Sequence, residues 1–268
     1  MQLLNKSYQL LIKGILYDPY ILCVFLFSYV RGTTNTTVRE INHNQIIQAI
    51  IAGKSIIRLG DGEVLNLTGR DIYFQTATKK IQASLYQLIT EYGEDSKYVL
   101  GVPVKKLTAT EQDLPARELK IWRLYRTYFP KRFNKKQSYI SLTWFYKQGI
   151  FHTHVRPLLQ HKHVIFISNV NVLDEHLRDY AQEHFSASSF IEAPSKNADA
   201  QSESIISTIN EKLASSTLPC VIVFAAGPAL KSIAADFILK KQNPVQFLDV
   251  GHGLSLVAHP ERDRSYKA

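Results

Sequence analysis

The stretch PCVIVFAAGPALKSIAADFILKK, residues 219–241, decides the fold. Residues 219–227 form an uninterrupted apolar run of the kind found in strands buried on both faces of a parallel sheet. The run closes on a glycine at 227, a proline follows at 228, and an apolar helical pattern begins at once. Proline is favoured in the first helical turn, where its missing N–H goes unused. A strand feeding directly into a helix is half of a βαβ unit.

The same grammar recurs outward from this stretch. NHNQIIQAIIAG (42–53) has helical apolar spacing, an asparagine able to cap its start and a closing glycine. SIIRL (55–59) reads as a strand, and KKIQASLYQLITEY (79–92) as an amphipathic helix with Ile81, Leu85, Leu88 and Ile89 on one face. YVLGVPV (98–104), SYISLTWF (138–145), HVIFISN (163–169) and SFIEAP (189–194) read as further strands, and PVQFLDV (244–250) as the last. Helices are expected over 109–129, 171–184 and 198–214. The alternation predicts an α/β fold, with a mainly parallel sheet and helices on both faces. Ligands of such sheets bind beyond the carboxyl ends of the strands.

Three strand ends therefore matter. The first carries Arg58, Gly60, Asp61, Gly62 and Glu63. If this segment is extended, Asp61 and Glu63 point to one side and can share a hard cation, which in turn can bind a diphosphate. The second carries Gly227, where backbone N–H groups at a helix start suit a phosphate. The third, DVGHG, carries Asp249 and His252, readable as an acid/base pair, a sugar-hydroxyl contact or a capping aspartate.

Charge narrows the partners. The 268 residues carry a formal charge of +9, and no Asp or Glu lies between Leu119 and Leu173, a span holding ten Lys and Arg. Such a stretch favours a polyanion: a nucleotide diphosphate, an anionic membrane, a lipid pyrophosphate or nucleic acid. Residues 1–31 hold two apolar blocks parted by Asp18-Pro19, each shorter than the roughly 20 residues of a membrane span. They are read as two short helices, packed on the body or dipped into a membrane interface. The expected division is an apolar helical segment over 1–39 and one domain over 40–268.

Common signatures are absent. The sequence has no GxGxxG after its first strand, no GxxxxGK[ST] and no GxSxG, which argues against dinucleotide enzymes, P-loop NTPases and α/β-hydrolases. The paired histidines 152/154 and 161/163 lack the neighbouring carboxylates and cysteines of a zinc site.

Taken in order, RLGDGE, Gln75 after an aromatic pair, APSKNADA, FAAGPALKSIAADFIL and FLDVGHG resemble the GT-D type glycosyltransferases over roughly residues 40–258. Leu59 stands where an aromatic residue is frequent in that family. The resemblance implies a Rossmann-like fold and a metal-dependent transfer of a sugar from a nucleotide sugar, a UDP-sugar for preference. The acceptor would be a glycan of glycoprotein or surface-polysaccharide synthesis, on a protein or a lipid carrier. It places Mn²⁺ (or Mg²⁺) and the diphosphate on Asp61 and Glu63. Arg58 is read as a phosphate partner or a brace for the carboxylates, and Gly60 and Gly62 as room for the nucleotide. Gln75 and Asn197 are read as hydrogen-bond donors to base or sugar. The base that deprotonates the acceptor is Glu63, Asp249 or His252. The expected setting is cytoplasmic, with peripheral contact at the inner membrane face as an option. The alternative is a non-catalytic basic protein that binds membrane or nucleic acid.

Overall fold

The sheet that the alternation predicts is present in a computed structural model, which describes residues 38–109, 121, 123–126, 129, 133, 134, 136–146, 149–240 and 245–259. The expected helices of 1–31, and most of the one over 109–129, lie outside the described residues.

The first half of the chain gives β1 (Arg39–Glu40), α1 (His43–Ile51), β2 (Ser55–Arg58), α2 (Asp61–Leu67), α3 (Lys79–Thr90), β3 (Tyr98–Val102), α4 (Val104–Thr108) and β4 (Ser138–Ser141). A 3₁₀ turn over Trp144–Tyr146, a π-helical turn over Phe151–Val155 and α5 (Arg156–Leu159) lead to the second half. There follow β5 (His163–Ser168), α6 (Glu175–His184), β6 (Ala187–Glu192), a 3₁₀ turn over Ala198–Gln201, α7 (Ser202–Ser215), β7 (Cys220–Ala225), α8 (Gly227–Lys240), β8 (Gln246–Asp249) and α9 (Gly253–Ala258).

Local chemistry explains the main boundaries. Asn42 Oδ1 accepts from the Gln45 N–H at 2.9 Å, while Gln45 Oε1 accepts from the Asn42 N–H at 3.1 Å. That reciprocal cap satisfies two otherwise orphaned donors at the start of α1. Thr78 caps α3, whose buried face is Ile81, Leu85, Leu88 and Ile89, as the spacing predicts. The chain leaves α1 through Gly53 at φ +76°, a left-handed turn that glycine makes without strain.

Among the described residues the sheet has eight strands in the order β1-β4-β3-β2-β8-β7-β5-β6, all paired in parallel. All residues of β2, β3, β5 and β8 are buried, consistent with helices on both faces. One layer consists of α7, α8, α3 and α2 in succession; α6 and α9 pack on each other and on β6 and β7. The first four strands fill one side of the sheet and the last four the other. The halves meet between β2 and β8, the switch point at which open α/β sheets bind ligands. Arg58 ends β2, Asp249 ends β8 and Ala225 ends β7, so three consecutive strands bring the sequence's three marked ends together.

One local expectation is corrected. Asp61 and Glu63 are not in an extended segment: both belong to the first turn of α2, with Gly60 as its N-cap. Successive helical residues turn by about 100°, so side chains at i and i+2 diverge by about 200°. The two carboxylates leave the helix in different directions.

Candidate active site

A cavity of about 490 Å³ opens over the carboxyl ends of β2, β8 and β7. Its floor is a buried network of two cations and two anions. Lys231, one turn into α8, donates to Glu63 Oε1 at 2.7 Å and lies 3.2 Å from Asp249 Oδ2. Asp249 Oδ2 also accepts the backbone N–H of Arg58 at 3.0 Å, and its Oδ1 lies 3.6 Å from Arg58 Nε. Lys231 and Glu63 are about 95% buried and Asp249 is 99% buried, so the charges must compensate one another. Burial alone would pull the Lys231 ammonium down. Asp249 and then Glu63 outweigh it and hold its pKa above the usual lysine value.

Arg58 is a brace. Its Nη1 donates to Leu142 O at 2.9 Å and its Nη2 to Tyr146 Oη at 2.7 Å, with the guanidinium over the Tyr146 ring at 4.8 Å. Glu63 reaches back along α2, so that its Oε2 accepts the Gly60 N–H at 2.7 Å. Asp61 faces away from this network, its Oδ2 2.8 Å from Lys106 Nζ and its side chain 43% exposed. Beneath both acids the buried Tyr125 hydroxyl donates to Leu59 O at 2.7 Å.

The glycines have separate duties. A Cβ on Gly60 would lie 3.0 Å from Glu63 Oε2, and one on Gly62 would lie 3.0 Å from Ile72 Cδ1. Their bareness is used by the carboxylate and by packing of α2 rather than left open to a ligand. Gly227 lines the cavity at φ +63°, and a Cβ there would fall 2.6 Å from the Phe74 ring. No L side chain fits that turn.

Gln75 is 97% buried in the cavity wall, its Nε2 donating to Thr76 O at 3.0 Å. Asn197 holds two loops together from outside the cavity wall. At φ +50° its N–H donates to Phe74 O at 2.8 Å, and its Oδ1 accepts the Thr76 N–H at 2.9 Å. His252 is exposed on the wall, with its ring centre 6.3 Å from that of Tyr146. It is not paired with Asp249, whose oxygens serve Arg58 and Lys231, so the acid/base pair read from DVGHG does not form.

Several residues that line the cavity or hold its lining in place carry no mark in the sequence. Tyr146 has no local signal at all. Tyr73, 88% exposed, stands at the rim with Lys196 Nζ 4.9 Å from its ring centre. Lys231 did leave a signal: it is a lone cation in the apolar run GPALKSIAADF, on a helix buried without a break from Pro228 to Ala235.

The sequence model described as "Glycosyltransferase GT-D fold" matches residues 56–255, about three quarters of the chain and all of the cavity floor. The chain belongs to this family. Solved structures agree in fold. A glycosyltransferase (domain of unknown function 1792) from Streptococcus sanguinis superposes with a TM-score of 0.66 at 18% identity, covering 81% of this chain and 82% of its own. A second structure, described as a highly conserved domain of unknown function 1792 with a distinct glycosyltransferase fold, gives 0.69 at 18% identity. It covers 90% of this chain and 88% of its own. No curated protein matches. The GT-D family has glycosyl transfer as its general reaction, with a sugar donor and an acceptor. Among the described residues of this GT-D chain no helix is long and apolar enough to cross a membrane.

Proposed function

We propose that the chain transfers a sugar from a nucleoside diphosphate sugar, a UDP-sugar for preference, to a hydroxyl of a glycan acceptor. The observation that carries this reading is the cavity at the switch point, where a buried ammonium and the helix N-terminus at Gly227 face one space. Both are groups that bind phosphate oxygens.

A divalent cation, Mn²⁺ or Mg²⁺, belongs to the proposal, with Asp61 and Glu63 as its protein ligands once their side chains, which leave α2 in different directions, turn toward one ion. Their oxygens are the donor type such ions prefer, and Asp61 keeps Oδ1 outside its bond to Lys106. Glu63 has both oxygens engaged, so a shared ion must displace Lys231 from Oε1. When bound, the ion would neutralise the leaving diphosphate as a Lewis acid. The chain's own residues do the remaining work. The α8 N-terminus orients the phosphates, and the wall of Phe74, Gln75 and Ser195 confines the donor. Of the three candidate bases, Glu63 already holds two donors and Asp249 three. His252 on the wall is the group placed to take the acceptor proton.

A thermal-shift titration tests this. UDP with Mn²⁺ is expected to raise the melting temperature of the full chain, and Asp61→Ala to abolish the Mn²⁺-dependent part. His252→Ala is expected to keep the shift and lose transfer. Melting unchanged by every nucleoside diphosphate, alongside tight salt-sensitive RNA binding, would favour the non-catalytic alternative.

A cytoplasmic protein acting on a lipid-linked acceptor at the inner membrane face fits the apolar residues 1–31 and the acid-free stretch from 119 to 173. Sedimentation with anionic vesicles is expected, and its loss on deleting residues 1–31. Sedimentation indifferent to that deletion and to lipid charge would remove the membrane from the reading.

A further inference from the structure

Two buried cations line the cavity, and they differ in how their donors are committed. Arg58 has both terminal nitrogens bonded, to Leu142 O and to Tyr146 Oη, and its Cζ lies over the Tyr146 ring, 4.8 Å from the centroid. A side chain held at three points cannot turn to a ligand without undoing the wall. Lys231 is built differently. An ammonium has three N–H donors; one goes to Glu63 at 2.7 Å and one toward Asp249 at 3.2 Å. The third is uncommitted, and the residue lines the cavity.

Its place on α8 adds to this. Lys231 lies four residues after Gly227, so its ammonium and the first N–H groups of α8 serve the same strand end. Its countercharges are exchangeable. Glu63 can release Oε1 and keep the Gly60 bond through Oε2, and Asp249 keeps Arg58. A phosphate oxygen entering the cavity can therefore take the uncommitted donor, or the one that Glu63 gives up, while Asp249 stays paired with Lys231 and Arg58.

We infer that Lys231 is the phosphate-binding residue of the site: it is parked between Glu63 and Asp249 and turns its free donor to the diphosphate of the nucleotide donor. This rests on the nucleoside diphosphate reading above and names the residue that recognises the phosphates. Without Lys231, two buried carboxylates would face an incoming dianion, so the loss exceeds that of one hydrogen bond. The third donor also explains why a lysine and not an arginine sits here. A flexible stem with a point charge can change partners, whereas a planar fork is held by its geometry.

The test is calorimetric binding in EDTA, comparing UDP with uridine, which has no phosphate. Any other nucleoside diphosphate that proves to bind is compared with its own nucleoside. In the wild-type chain UDP is expected to bind more tightly than uridine. Lys231→Met is expected to weaken UDP at least 10-fold and leave uridine unchanged. Because a buried lysine can matter for folding, the double variant Lys231→Met/Glu63→Gln removes one charge of each sign. It is expected to melt cooperatively and show the same selective loss. UDP affinity kept in the double variant overturns the inference and leaves the proposed function standing. Equal losses of UDP and uridine also overturn it, as the mark of a structural role. A wild-type chain that binds no nucleoside diphosphate overturns both.

Discussion

Asp249→Ala is expected to lower the folding stability of the chain by about 3–5 kcal/mol, the usual consequence of removing one partner from a buried ion network. Asp249 is 1% exposed and answers three donors: the Arg58 backbone N–H, the Arg58 guanidinium and Lys231. Its removal leaves two buried cations sharing Glu63 alone, and strips an acceptor from the N–H that ends β2. Asp249→Asn keeps the shape but not the charge and is expected to lose less, because one amide oxygen can still accept from Arg58 N–H. Chemical denaturation of the three proteins reads this directly. A loss below about 1 kcal/mol for the alanine variant would mean that water reaches the network and screens it, as for surface pairs.

The second large effect is expected at Gly251, the glycine just past β8. It sits at φ +50°, and an added Cβ would lie 2.0 Å from Arg58 Nη2 and 2.7 Å from its Cζ. The clash falls on a guanidinium that Leu142 and Tyr146 hold in place, so it cannot be relieved by a small swing. Gly251→Ala is expected to cost about 1–3 kcal/mol from the left-handed backbone alone. It also displaces the brace from the cavity wall. Shifts of about 1 Å in a site can lower rates about 100-fold, so transfer is expected to fall by that order. Gly53→Ala provides the contrast: φ is also positive, but a Cβ there meets nothing within 4 Å. It should show the backbone cost with transfer intact. Equal transfer rates for the two variants would refute the claim that Arg58 shapes the wall.

What was legible beforehand followed from periodicity. Apolar runs marked seven of the eight strands, all but the two-residue β1 of Arg39 and Glu40, and parallel pairing followed from their alternation with helices. The exception at Asp61-Gly62-Glu63 has a local cause. Glycine inside a first helical turn has poor helix propensity, so the string reads as a loop. The N-cap at Gly60 and the reach of Glu63 back to it stabilise a helix that spacing does not announce. The site was legible only as three separate strand ends. Their joining rests on bonds between residues 191 positions apart, Arg58 to Asp249, and 168 apart, Lys231 to Glu63. No pattern within a window of the chain encodes such pairs. Arg58 illustrates the limit: both of its readings were chemically sound, and only the positions of Leu142 and Tyr146 separate them.

Asn197 carries a different consequence. By bonding Phe74 O and the Thr76 N–H it ties the loop that follows the first half's α2 to the loop that follows β6. Two adjoining parts of the cavity wall, though far apart in sequence, are thereby inherited as one piece. On the proposed reading, a change of sugar preference in descendants of this chain would have two routes. It can exchange side chains such as Tyr73 and Ser195 on a fixed frame, one at a time. Or it can remake both loops together, because neither can drift in length while the clasp holds the other.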